Sequence, residues 1–121
     1  MLVFCAYWEG TVRENPNEFD RYVSEVHLPL VAKYPNLQKL LYLKGETRGG
    51  VTPKYYQSFE LYFNSWEEFE VAKHSSERAD AVVDAKKLEA MFVGDIYHVV
   101  YEVHDFSCGP RSRFISSISQ T

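Results

Sequence analysis

Four stretches of this chain have the pattern of β-strands, and each carries large apolar side chains on both faces, while only two stretches read as helices. Residues 2–8, LVFCAYW, form a continuous apolar run with β-branched and aromatic residues, the mark of a strand covered on both sides. EGTV follows and is expected to end it. In 37–48, Leu37, Leu41 and Leu43 share one face, and Leu40 and Tyr42 share the other. Residues 55–65 set Gln57, Phe59, Leu61 and Phe63 against Tyr56, Ser58, Glu60 and Tyr62. Residues 95–106 set Tyr97, Val99, Tyr101 and Val103 against Ile96, His98, Val100, Glu102 and His104. Too much apolar sheet surface is present for two helices to cover.

The first helix is predicted from Asn15, an N-cap followed by Pro16 at the first helical position, with Glu18 and Asp20 in the first turn. It runs to about residue 33. At about 100° per residue, Tyr22, Val23, Val26 and Leu30 lie within about 60° of Phe19 and form the core stripe. The second helical region opens with the capping box Ser65-x-x-Glu68, breaks at HSSE and continues to about Ala90. The order is β-α-β-β-α-β, the ferredoxin-like arrangement: an α+β fold with a four-stranded antiparallel sheet and two helices on one face. The bare face is most economically covered by a second copy of the sheet. That makes a homodimer through the sheet faces, a dimeric α+β barrel. Residues 1–106 form this domain; residues 107–121, rich in Ser, form a flexible or partner-docking tail.

The 121 residues and net charge of −4, without a basic stripe, exclude a nucleic-acid partner. No run approaches 18 apolar residues, so no membrane span is expected. The first ten residues lack a basic start and read as a strand, not a leader. Cys5 and Cys108 have no metal-ligand spacing and read as free thiols in a reducing, cytoplasmic setting. GETRGG (45–50) precedes no helix, and no Gly-rich phosphate motif occurs, so no nucleotide cofactor is indicated. His98 and Glu102, about 13 Å apart along a strand, cannot share a metal. The expectation is no cofactor and no metal.

The run EFDRYVSEVHLPLVAKYPNLQKLLYL resembles the first-helix signature of the EthD-like family, within the dimeric α+β barrel superfamily. The matching residues are Phe19, Tyr22, His27, Pro29, Leu30, Lys33, Pro35 and Leu37. PKYYQSFELYFNSWEEFEVA resembles the family's third strand and the start of its second helix, and SSERADAVVDAKKL shares Ser75, Glu77 and Asp84. The resemblance covers about residues 2–104. It implies catabolic or tailoring chemistry on small oxygenated compounds, because members are linked to ether breakdown, methyl-lactone rearrangement and aromatic polyketide tailoring. Related barrels include cofactor-free monooxygenases and haem-degrading proteins.

His27 lies about 80° from Phe19, at the rim of the core stripe. There it is either a packed histidine or a proton shuttle at a pocket wall. Pro29 cannot donate to the Glu25 carbonyl and disfavours a helical Leu28, so a bend after His27 is expected, with a freed carbonyl to orient the imidazole. Tyr7 and Tyr42 are the candidate phenols for polarising a substrate oxygen, and each could equally be a packing residue. Cys5 shares a face with Tyr7, which would put a buried thiol beside the pocket. His74 and Trp66, as in haem-binding relatives, keep haem open; otherwise His74 is a helix-end residue and Trp66 an anchor. The leading expectation is a pocket for a small apolar lactone, quinone or phenol, with His27 as general acid/base and Tyr7 or Tyr42 as partner in proton-transfer or isomerase chemistry without a cofactor. A non-catalytic ligand-binding module and a monooxygenase-like barrel, cofactor-free or haem-dependent, are the alternatives.

Overall fold

Period-two alternation needs a ladder partner for every strand, and the chain supplies them in one sheet. The computed structural model describes residues 1–109. The predicted tail at 107–121 therefore lies almost wholly outside the described residues. The strands are β1 (Leu2–Val12), β2 (Lys39–Lys44), β3 (Tyr55–Phe63) and β4 (Phe92–Glu102), in the order β2-β3-β1-β4 with every neighbour antiparallel. The helical segments are α1 (Pro16–Tyr22), α2 (Leu28–Val31), α3 (Trp66–Lys73) and α4 (Ser76–Ala90). This is the βαββαβ ferredoxin-like fold. No helix among the described residues is long and apolar enough to cross a membrane.

The caps read from sequence are in place. Asn15 accepts from the Glu18 N–H at 3.1 Å, and Ser65 Oγ accepts from the Glu68 N–H at 3.2 Å. A third cap, Ser75 Oγ on the Arg78 N–H, restarts the helix after the HSSE break. Between α1 and α2 the structure departs from the expected stripe. Val23–His27 form a π-helical turn, and the Leu28 N–H reaches back to the Val23 carbonyl. One residue is gained in that turn, so the stripe slips by one position. Val26, expected inside, is 39 % exposed, while His27 and Val31 are buried.

Strand β1 also runs past the expected stop at EGTV. Gly10 sits opposite Gly94 in the β1–β4 ladder, both with positive φ (143° and 148°). A Cβ on Gly10 would collide with the Val93 carbonyl oxygen, and one on Gly94 with that of Glu9. The glycine pair lets two backbones approach where any side chain would push them apart. Gly10→Ala and Gly94→Ala should each lower unfolding free energy by about 2–4 kcal/mol, from backbone strain plus collision. A urea midpoint unchanged by either substitution would refute this.

The helices cover the face bearing Phe4, Ala6 and Trp8. The Trp8 indole meets Phe92 edge-on at 5.1 Å and Phe19 at 6.0 Å, with Phe63, Val23 and Leu88 also buried in the core. Each large side chain buried there contributes about 1.5–3 kcal/mol. The opposite face carries Tyr7, Leu43, Tyr55, Tyr97, Val99 and Tyr101, and all but Tyr7 are exposed.

Candidate active site

A proline within a helix removes one donor, and here that removal coincides with the π-helical turn. Pro29 has no N–H for the Glu25 carbonyl. The Leu28 N–H, one residue earlier, pairs five residues back, and α-helical pairing resumes with the Ala32 N–H on the Leu28 carbonyl at 2.8 Å. Such single turns recur at functional sites. The effect is to swing His27 inward, to 5 % exposure.

The expected backbone acceptor for His27 is replaced by a carboxylate. His27 Nδ1 lies 3.0 Å from Asp84 Oδ2. The other carboxylate oxygen accepts from the Tyr22 hydroxyl at 2.5 Å. Asp84 occupies the buried stripe of α4 with Ala81 and Leu88. A charge in that position requires partners, because burying it alone costs several kcal/mol. With Asp84 ionised, its oxygens only accept, so His27 Nδ1 carries the hydrogen, and in the neutral ring Nε2 presents its lone pair. The bond to Asp84, then burial, holds the Tyr22 phenol above its ordinary range. His27 Nε2 has no hydrogen-bond partner among the described residues.

His27 forms part of the wall of a cavity of about 580 Å³ between sheet and helices. Phe4, Trp8, Phe59 and Leu61 supply its apolar floor. The His27 and Phe59 rings are 6.0 Å apart. Polar wall groups are Tyr34, Arg78, Lys86, Glu89 and His98. Burial, then the Arg78 charge, pushes the His98 imidazole below its ordinary range, and Glu89 opposes this. Its ring stacks on Phe4 at 5.2 Å.

The two candidate tyrosines are not brought to this cavity. Ala6 and Trp8 point into it, so Tyr7 between them points to the opposite sheet face, where its hydroxyl meets that of Tyr101 at 2.9 Å. That bond, with burial, raises the Tyr7 phenol. Cys5 follows Tyr7 to the outer face; it is buried, but not beside the cavity, and burial pushes its thiol up. Tyr42 does lie on the His27 face, its ring 5.7 Å from the same Phe59. It is outside the cavity wall, donates to Gln57 Oε1 at 3.4 Å, and is pushed up to about 12 by burial and then by Asp20. His74 is exposed and pairs with Glu70 at 3.3 Å; neither it nor Trp66 reaches the cavity. Among the described residues no His, Cys, Asp and Glu side chains cluster as a metal-ligand set.

No protein-family model and no curated protein matches this sequence. Solved structures do match. An ethyl tert-butyl ether D (EthD) family protein from Bacillus halodurans superposes with a TM-score of 0.73 at 22% identity, over 86% of this chain and 99% of that one. The fold is that of the EthD family. A dimeric ferredoxin-like protein from Thermobifida fusca shares it, with a TM-score of 0.60 and 14% identity over 84% of this chain and 90% of that one. So does SnoaB, a cofactor-independent oxygenase from Streptomyces nogalater, with a TM-score of 0.61 and 15% identity over 89% of this chain and 97% of that one.

In this EthD fold the helices and sheet meet at the cavity, and three cavity groups escaped the sequence reading. Tyr34 follows α2, Arg78 lies on α4 and His98 on β4. His98 shares a strand face with Ile96 and Val100, which assigns it a side but not a cavity. Arg78 has the sequence context of an ordinary surface cation.

Proposed function

We propose that this protein binds a small, flat, largely apolar oxygenated compound in the helix–sheet cavity and that His27 is the general base acting on it. The observation that carries the reading is the His27 imidazole, fixed at Nδ1 by Asp84 and unpaired at Nε2 in the cavity wall. A neutral imidazole oriented by a carboxylate accepts a proton near neutral pH, and the carboxylate stabilises the imidazolium that forms. His27 removes an acidic C–H or O–H proton. Returning it to another carbon of the resulting enolate completes an isomerisation, with no net change in electrons.

The test uses α-angelica lactone, whose double bond moves into conjugation by proton removal and return. In D₂O the protein should speed conversion to the β isomer and introduce deuterium at the ring carbon that receives the proton. Absence of any acceleration across a panel of lactones and cyclic ketones, despite saturable binding, would favour a binding module without catalysis. A second reading draws on the likeness to a cofactor-independent oxygenase. The same deprotonation of a hydroquinone yields an electron-rich anion that passes two electrons to O₂, leaving the quinone and hydrogen peroxide, and oxygen uptake with naphthohydroquinone distinguishes the two.

The protein is further proposed to be a homodimer through its outer sheet face. Tyr97, Val99 and Tyr101 stand exposed in one row there, and a fold neighbour is dimeric. Sedimentation equilibrium should give twice the chain mass, and Val99→Asp should give a folded monomer. A monomeric wild-type protein at tens of micromolar would overturn this.

A further inference from the structure

The cavity wall joins one polar group from each of three segments, and none of the three has a hydrogen-bond or ion-pair partner for its side-chain polar atoms among the described residues. The Arg78 guanidinium is exposed and makes no ion pair or side-chain hydrogen bond among the described residues. The Tyr34 hydroxyl and the His98 imidazole likewise have no hydrogen-bond partner there. Arg78 faces both. Its charge draws the Tyr34 phenol down against the upward push of burial, and it acts on His98 in the same sense. All three line the same cavity.

The charge balance along the wall has a direction. Lys86 lies two turns beyond Arg78 on α4, about 12 Å along the axis, and is also unpaired among the described residues. Glu89, the carboxylate of this wall, acts on His98 but lies about 16 Å from Arg78 along the same axis. Both oxygens of Asp84 are taken up by His27 and Tyr22. The Arg78 end is thus positive in a chain whose net charge is −4.

We infer that the natural ligand is an anion: a flat ring compound bearing a carboxylate, which Arg78 holds at the mouth with Tyr34 and His98 as donors, while the ring lies on Trp8 and Phe59. This rests on the cavity being the substrate site, and it specifies the substrate class. A guanidinium suits the role because its fork of donors matches a carboxylate.

The experiment compares β-naphthoate with its methyl ester by titration calorimetry. Wild-type protein should bind the acid about tenfold or more tightly than the ester, the scale of one charge-assisted hydrogen bond. Arg78→Gln should abolish most of that preference with little change for the ester, and Arg78→Lys should retain part of it. Lys73→Gln, an exposed charge outside the cavity, should leave it intact. Equal binding of acid and ester by the wild-type protein, no binding of either, or equal weakening of both by Arg78→Gln would overturn the inference. So would an equal effect of Lys73→Gln. A His27→Gln protein that keeps the acid preference while lactone isomerisation continues undiminished would uphold this inference and refute the general-base reading alone.

Discussion

His27→Gln should lower lactone isomerisation and the accompanying deuterium uptake by about 10²–10⁴-fold, the usual contribution of a positioned general base. The effect should fall on kcat, because the imidazole acts on the proton in flight while binding of the neutral lactone rests on the apolar floor of Trp8 and Phe59. Asp84→Asn offers the sharper diagnosis. An amide at residue 84 keeps the shape of the carboxylate but has only one accepting oxygen. If that oxygen stays with the Tyr22 hydroxyl, the amide nitrogen faces His27 Nδ1 and must donate to it. The ring then holds its hydrogen on Nε2 and turns a donor, not a lone pair, toward the cavity. Turnover should drop on the order of 10³–10⁴-fold with the fold intact. Nitrogen-15 NMR of the imidazole should report Nδ1–H in the wild-type protein and Nε2–H in Asp84→Asn. A wild-type ring protonated at Nε2, with Nδ1 bare, would sink the mechanism whatever the kinetics.

The sequence points to His27 at the rim of the core stripe, whereas the structure turns it inward onto Asp84, and the difference has a physical explanation. Strand faces follow from a backbone period of two, so the grouping of Phe59 with Leu61 and of Tyr42 with Leu40 on one face of their strands is legible in the sequence. Which side of β1 meets the helices is not, because LVFCAYW carries large residues on both faces. Tyr7 and Trp8 are equally credible from sequence, and the structure turns Trp8 inward. Pro29 signalled a break in helical pairing, but not its form. A π-helical turn, rather than a bend, shifts the stripe from Val26 to His27 and from Leu30 to Val31. Asp84 left a usable trace: it interrupts the stripe of Ala81 and Leu88, and a carboxylate on a buried helix face implies a partner elsewhere. Arg78 left none, since an exposed arginine early in a helix is ordinary until the cavity beside it is seen.

The largest stability effect should come from the same carboxylate. Asp84→Leu should lower unfolding free energy by about 3–5 kcal/mol, because the buried His27 Nδ1–H and the half-buried Tyr22 hydroxyl lose a charged acceptor at once. Leucine fills the space and denies entry to a replacing water at His27 Nδ1, so the buried donor is not rescued. Tyr22→Phe alone should cost about 1–2 kcal/mol, since His27 still pairs with the carboxylate. Combining Tyr22→Phe, His27→Leu and Asp84→Leu should recover most of the loss, as apolar replacement of a whole buried polar group commonly does. That variant should be folded and inactive, which separates the role of Asp84 in joining α4 to the π-helical turn from its role in catalysis. Urea unfolding of the four proteins measures the series. An Asp84→Leu midpoint equal to wild type would mean that the carboxylate holds neither helix, and the oriented base would lose its support with it.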